Sequence, residues 1–579
     1  MEIDQYMHHK VKIIVLATAV MLLWNELAAQ YPESISSVDC PREKISALLS
    51  QENVFTGEIL WFKIYCSSIL FPGEELSSLA FIELVSSENT SILRKKILLK
   101  HGEGTGEFKI PENLPTGIYY ILAYTNWMKN FGEESFFRKE MIIVNPYQPF
   151  SNKYDSLSFV EKHDETSVTD INANKLKIIP DKNKYSTREH VTMKIETVSL
   201  PGKTITGRLS VSVYRKEPKM IFSAKKSKEK ELIKAPENIT FMPDYHGILL
   251  SGKLTDNSGH ATPFAFVTAS SPGKGTDIKS HITDRNGNFH FLLEPKEGEK
   301  EIVITLPAGD MKISLEESFW NGFRGPPDSL VLILNREAVS FLKEKYACYQ
   351  LLDRFKKQYF IKNTPVENVP DTNVFYSKPH QLIKLGNYID LDSLREYFYE
   401  LVPAVKFAQR NGEIEISVLD PLTMTYVEDK PGIFLDGILY DNFSAIADIP
   451  VEEIDRIAVL PTSYYYKDFS FGGIIDIHTK KSDFNSVKPL PNMTRFIYPL
   501  SHVAEWRFLS LDYSIADPSD RIPDLRFLLH WEPVVRIEKS GEALIQFYTG
   551  DVKGIFVVKV VGLSDDGEIL QAESEINVY

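Results

Sequence analysis

The chain has 579 residues and a mass of 66.1 kDa, room for about three to five domains at roughly 100–200 residues each. With 43% hydrophobic and 25% charged residues it is too apolar for disorder, and its 30 Gly and 32 Pro, spread along the chain, exclude collagen, coiled coil and low-complexity polymer. A formal net charge of −14 excludes the overall basic footprint of a nucleic-acid binder.

Lys10 and Lys12 precede an apolar run, Ile13 to Trp24, and the small residues Ala28 and Ala29 follow it. This order predicts a secretory signal, 1–29, cut after Ala29. A single membrane anchor is the alternative, but the run is short for one. Lipid attachment is not expected, because Cys40 stands ten residues after the cut. No later stretch reaches about 18 apolar residues, so no transmembrane helix is expected in the mature chain. Cys40, Cys66 and Cys348 make an odd count for an exported protein and fit no zinc spacing. A bridge between Cys40 and Cys66 is left open.

Residues 38–146 read as a β-sandwich. Ile59–Tyr65, Leu79–Leu84 and Ile118–Tyr124 are strand runs, separated by Gly- and Pro-rich turns. Gly102, Gly104 and Gly106 are expected to mark a turn; no helix follows to make them a phosphate loop. Val54-Phe55-Thr56-Gly57-Glu58-Ile59-Leu60-Trp61-Phe62 resembles the opening of an alpha-2-macroglobulin MG2 domain, and Leu114–Tyr119 with Ala123-Tyr124-Thr125 resembles its closing strands. Trp127 follows that strand and is expected in the core rather than at a contact.

A polar linker, 151–172, leads to a second macroglobulin-like sandwich, 173–240, with strands at Val191–Ile195 and Leu209–Tyr214. Lys225 to Lys230 is read as a solvated basic loop. Residues 247–325 form a third sandwich. Its hairpin Thr283-Asp284-Arg285-Asn286-Gly287-Asn288-Phe289 is similar to the carboxypeptidase-regulatory-like family, a non-catalytic module. Asp284, Asn286 and Asn288 imitate a calcium loop, but Pro295 stands where the bidentate Glu belongs, so turn chemistry is expected there.

Residues 336–482 combine a helical stretch, 336–362, with a small α+β domain. A second helix, 391–401, is expected with Asp390 or Asp392 as its N-cap. Leu435-Asp436-Gly437, Ile454–Leu460 and Phe471-Gly472-Gly473-Ile474–Lys481 closely resemble the plug domain of TonB-dependent outer-membrane receptors. Glu452 and Glu453 are read as a solvated helix start. Only about 100 residues follow Lys481, whereas a barrel of about 22 strands at roughly ten residues each needs upwards of about 200. The tail, 500–579, is instead expected to be another sandwich, with strands in 527–533, 543–551 and 554–562. The overall resemblance is to Gram-negative envelope proteins that combine these modules without a barrel.

The expected fold is mostly β: a multidomain string of immunoglobulin-like or macroglobulin-like β-sandwiches with one small α+β plug-like domain. No catalytic constellation is legible. The Cys-x-Glu-Gln thioester of macroglobulins, HExxH, G-x-S-x-G, Walker A and Rossmann fingerprints are all missing. His502 and Glu505 have H-x-x-E spacing with His530 downstream, a coincidence expected among 13 His. Catalytic, cofactor-binding and metal residues are therefore none, and no cofactor is expected. Tyr464, Tyr465, Tyr466 and Phe469 are the candidate partner contact, with core or interdomain packing as the competing reading.

These readings point to a non-enzymatic cell-envelope protein, in the periplasm or associated with the outer membrane. It would serve as an interaction scaffold or accessory subunit of an outer-membrane transport or surface assembly. The alternative is a carbohydrate- or peptide-binding accessory protein of a nutrient uptake system. The expected partner is an outer-membrane or surface protein, not nucleic acid.

Overall fold

The computed structural model describes residues 41–68, 76–148, 175–198, 205–223, 239–324, 330–332, 334–355, 359–363, 372–376, 378–389, 391–410, 413–514 and 522–579. The signal segment 1–29, Cys40, the linker 151–172, the basic run 225–230 and Asp390 lie outside these residues. The architecture is mostly β, built from sandwiches and one α+β unit. No described helix is long and apolar enough to cross a membrane.

The first sandwich faces a three-stranded sheet against a five-stranded one. The three-stranded sheet runs Glu43–Leu49, Ile59–Ser68, Glu103–Lys109. The five-stranded sheet runs Asn53–Phe55, Phe137–Val144, Gly117–Thr125, Leu79–Ser86, Ser91–Leu98. Leu79–Ser86 and Gly117–Thr125 are buried on both faces. That is why these runs are continuously apolar rather than alternating. One face fills the sandwich, and the other, with Val85, Ile118, Tyr120 and Leu122, joins the neighbouring sandwich's core. The expected three-glycine turn is reduced to Gly102, at φ +70°. Gly104 and Gly106 lie inside the strand, where a Cβ would sit 2.4 Å from Ile97 and 2.7 Å from Phe62. They permit close packing rather than a bend.

The segments 173–240 and 500–579, expected as two separate sandwiches, share their sheets and form one. The five-stranded sheet runs Lys184–Tyr185, Ile569–Val578, Gly554–Ser564, Gly207–Arg215, Leu528–Ile537. The three-stranded sheet runs Glu542–Tyr548, His190–Thr197, Leu176–Pro180. Gly207–Arg215 therefore has a tail strand on each side, and Leu209, Val211 and Val213 are fully buried. The early segment alone holds too few strands to cover its own apolar faces. Arg215 N donates to the Phe527 carbonyl at 2.8 Å. The chain thus leaves and re-enters this sandwich at one point.

The third sandwich pairs Asn288–Leu293, Ile248–Asp256 and Met311–Leu315 in one sheet, and Ile278–Ile282, Phe266–Ser270 and Gly298–Thr305 in the other. The second sheet takes a fourth strand, Met493–Ser501, from beyond the expected boundary at 325. In the turn before Asn288–Leu293 the Asp284 carboxylate accepts from the Asn286 and Asn288 backbone N–H groups, each at 2.8 Å. Those bonds make an Asx turn.

The α+β unit has a five-stranded sheet in the order Gln381–Lys384, Ile454–Leu460, Ile474–Thr479, Gly432–Leu435, Ile438–Leu439. Leu394–Leu401 and Phe443–Ala447 are its helices. The first is capped by Ser393, which accepts from Glu396 N, rather than by Asp392. Glu396 in turn accepts from Asp392 N at 3.0 Å, a reciprocal arrangement close to a capping box. Glu452 and Glu453 sit in a 3-10 turn, Val451–Glu453, feeding Ile454–Leu460.

The expected helix 336–362 ends at Arg354. Phe360–Lys362 is instead a short strand paired with Trp506–Phe508. The helix Arg336–Arg354 buries Ala338, Phe341 and Leu342 in the second sandwich and sets Tyr346 and Tyr349 each 6.0 Å from Phe55 of the first.

Candidate functional site

The first sandwich, the long helix, the ribbon of Phe360–Lys362 with Trp506–Phe508, and the entry to Leu528–Ile537 converge on one cleft of about 320 Å³. Its walls are aromatic. Trp61 projects from Ile59–Ser68, with Phe508 edge-on at 5.5 Å and Phe360 at 6.3 Å. Phe360 packs edge-to-face on Trp506 at 5.4 Å, and Lys109 Nζ lies 5.9 Å from the Trp506 ring. Tyr349 and Leu352 come from the last turns of the helix. Trp61 is only 7% exposed, yet its indole Nε1–H has no hydrogen-bond partner among the described residues. A buried donor in that state is costly unless something occupies the site.

The floor is rigid. Arg526 is 3% exposed and grips Asp524, with Nη2 on Oδ2 at 2.7 Å and Nε on Oδ1 at 2.8 Å. Its Nη1 donates to the Leu529 carbonyl at 2.9 Å. Burial pushes the Asp524 carboxyl up, but the Arg526 charge and hydrogen bonds prevail and hold it below the ordinary carboxylate range. The rim is polar: Gln51 and Glu58 are bonded to each other, and Glu112 is exposed.

The candidate contact residues lie elsewhere. Tyr464–Tyr466 forms a hairpin with Phe469–Phe471. Phe469 is buried at 5.4 Å from Phe266 of the third sandwich and stacks on Phe471. Tyr464 and Tyr466 are half-buried around Phe375, with Tyr464 donating to its carbonyl at 3.2 Å. Of the four, Tyr465 alone faces solvent, at 75% exposed. The hairpin thus packs the α+β unit onto the third sandwich. Trp127 is buried and donates to the Pro41 carbonyl at 2.7 Å.

That junction holds a second buried polar cluster. Asp476 accepts from Tyr376 at 2.6 Å and from Thr276 at 2.7 Å, and its other oxygen lies 3.1 Å from His478 Nε2. Burial opposes the carboxylate, but His478 and the two hydroxyls keep Asp476 below its usual range. Thr276 belongs to the third sandwich, so the network ties two units together. Asp436 accepts from Thr479 N at 2.6 Å, Thr479 Oγ1 at 2.8 Å and Phe484 N at 3.0 Å. Gly437, at φ +84°, lies where a Cβ would meet the Gly275 carbonyl at 2.6 Å and the Ser271 carbonyl at 3.0 Å. Gly437→Ala is therefore expected to cost about 2–4 kcal/mol from backbone strain and lost docking. A lower denaturant midpoint, with faster proteolysis in 271–276, checks it.

The H-x-x-E spacing brings no metal site together. His502 Nε2 lies 2.9 Å from Glu107, and Glu505 supplies only its backbone N–H to the same carboxylate. His530 is apart, against Ser510 and Phe547, with burial and the Arg526 charge lowering it to about 4. Among the described residues no group of three or more His, Cys, Asp or Glu could hold a metal. Cys348 is half-buried, its thiol pushed up to about 11. The arrangement is suited to holding a ligand against aromatic faces.

The cleft was not legible as a site, because its walls come from residues about 450 positions apart. The available signal was two short aromatic-rich stretches, Tyr359-Phe360-Ile361 and Trp506-Arg507-Phe508-Leu509.

No family model matches the chain, and no curated protein does. Among solved structures, it is similar to Salmonella alpha-2-macroglobulin reacted with methylamine, at 9% identity and a TM-score of 0.23, over 93% of this chain and 39% of that one. The native conformation of E. coli alpha-2-macroglobulin gives 9% and 0.23, over 93% and 40%. The Yersinia pseudotuberculosis adhesin InvE gives 8% and 0.13, over 48% and 58%. The chain spans about two fifths of the length of these macroglobulins.

Proposed function

We propose that this protein is a non-enzymatic binding scaffold of the Gram-negative envelope, receiving an apolar segment of a protein partner in the aromatic cleft. The observation that carries this reading is the cleft itself: three chain regions supply its walls, and Trp61 keeps a buried, unpartnered donor there. Aromatic pockets of this kind take the anchor residues that dominate protein recognition, and an indole N–H suits a partner's backbone carbonyl. The N-terminal signal pattern supports export. The resemblance of 336–482 to a receptor plug supports an outer-membrane transport or surface assembly as the setting. Carbohydrate is the second reading, favoured by Trp61 and Trp506 as stacking faces beside Gln51, Glu58 and Glu112.

The test is selection of a displayed peptide library on the full chain, with a glycan array in parallel. Peptides with an aromatic or large aliphatic anchor are expected. Phe508→Ala, in the half-buried ribbon, should weaken them about 30-fold, the loss of a strong anchor contact. Peptide binding unchanged by F508A, or no selection at all, overturns the reading. Glycan hits lost in F508A would favour the second.

A further inference from the structure

A second cavity, of about 390 Å³, lies where all three sandwiches meet, away from the aromatic cleft. Its charged lining is Lys63, Lys100, Glu103, Arg208, Glu297 and Arg536. Four cations thus face two carboxylates in a chain whose overall charge is −14. The two carboxylates are both engaged. Glu103 bridges Lys63, at 2.6 Å, and Arg208, while Glu297 pairs with Lys100 at 3.3 Å. Arg208 Nη2 also donates to the His101 carbonyl at 2.9 Å.

Arg536 is left over. It stands directly opposite Arg208 in the antiparallel pair of Gly207–Arg215 with Leu528–Ile537. No carboxylate among the described residues lies within ion-pair distance of it. Like charges directly opposite on one sheet are destabilising. Glu103 offsets Arg208 only in part, since it also pairs with Lys63, and Arg536, exposed at the cavity's edge, has no acid of its own among the described residues. The unengaged guanidinium fork of Arg536 and the remaining N–H groups of Arg208, beside the buried Lys63, make a receptor for an anion with several oxygens.

We infer that this cavity binds a phosphate-bearing ligand, its phosphoryl group held between Arg536 and Arg208. The surplus of two positive charges matches a phosphate monoester dianion. The volume exceeds that of a bare phosphate and leaves room for an organic group such as a sugar. The source is a soluble phosphate ester or a membrane-lipid headgroup, which share this chemistry.

Calorimetry on the full chain tests it with glucose 6-phosphate, and sedimentation tests it with phosphatidylcholine vesicles containing phosphatidic acid. Saturable binding to at least one is expected, weakening as salt rises. Arg536→Gln should reduce it at least about ten-fold, the scale of one charge-assisted bond. R536Q also removes a repulsion, so its melting temperature without ligand should not fall. Binding to vesicles alone assigns the headgroup, and binding to the ester alone the soluble source. Binding of neither, or equal binding by R536Q, overturns the proposal. F508A should leave phosphate binding intact, which separates this site from the aromatic cleft.

Discussion

A chain ending at Pro523 is expected to lose the second sandwich entirely, not merely its tail. Four of that sandwich's strands, Leu528–Ile537, Glu542–Tyr548, Gly554–Ser564 and Ile569–Val578, would be gone. Gly207–Arg215 would lose both neighbours, and His190–Thr197 would keep only Leu176–Pro180. Burial of Leu209, Val211 and Val213 alone contributes roughly 5–9 kcal/mol, at about 1.5–3 for each side chain. That is on the scale of a whole domain's net stability of about 5–15 kcal/mol. Limited proteolysis should cut throughout 175–215 in the truncated chain and spare it in the full one. Adding residues 522–579 in trans should restore protection. A truncated chain that keeps 175–215 protected would show that the early half folds alone.

The second large effect is expected at Lys345. Its side chain is 3% exposed, and its Nζ donates to the Asn53 carbonyl at 2.6 Å and lies 3.5 Å from Glu217, itself 3% exposed. Asn53 also donates its amide to Glu217. The cluster joins the first sandwich, the second sandwich and the long helix, so both charges are desolvated at one three-way contact. At pH 8, where Glu217 is ionised, Lys345→Met should cost about 3–5 kcal/mol, because it leaves that carboxylate buried without a countercharge or forces it to take up a proton. The double variant K345M/E217Q should recover most of that loss, since two neutral groups carry no such penalty. Equilibrium denaturation of the single and double variants measures both values. A loss under about 1 kcal/mol in K345M would mean that water reaches the pair.

The same cluster gives stability a pH dependence. Burial, opposed by Lys345 and reinforced by Glu52, raises Glu217 to about 7 from an ordinary 4.5. A folded-state pKa above the unfolded one means that the proton stabilises the fold. The contribution is complete below about 4.5 and disappears as pH rises through 7. Asp244, raised by burial to about 6, acts with the same sign. His530, lowered to about 4 from an ordinary 6.5, contributes stability that rises with pH up to about 6.5 and opposes them there, so the fall in melting temperature should be steepest between about pH 6.5 and 8, and E217Q should flatten it. Keeping below pH 8 avoids Lys96 and Lys129, which burial lowers to about 8.

Local patterns in the sequence carried the strands well. Ile118–Tyr124, apolar without alternation, is a strand covered on both faces, and Ala543–Phe547, alternating strictly, is covered on one. What local pattern cannot carry is the identity of a strand's neighbour. Leu209–Tyr214 reads the same whether its partners lie nearby or, as here, at 528–537 and 554–564. One sandwich therefore reads as two, and the returning strand Met493–Ser501 falls mostly between the expected units 336–482 and 500–579. The helix read through 362 failed for a related reason. Phe360–Lys362 has too few residues to declare a period, and only its pairing with Trp506–Phe508 makes it a strand. The aromatic cleft depends on that same pairing. The Tyr464–Tyr466 cluster was visible as aromatic, but its direction was set by Phe375, and that of Phe469 by Phe266, neither adjacent in sequence.

The interrupted sandwich also imposes a timetable. Ribosomes add about 5–20 residues per second, so roughly 15–60 s separate the appearance of Arg215 from that of Phe527. Throughout that interval Gly207–Arg215 exists with both hydrogen-bonding edges open, while its first partner strand has yet to be made. Closure of this sandwich is thereby tied to synthesis through Val578. A product terminated before Phe527 would advertise itself by an unclosed sheet, exposed to whatever inspects nascent chains.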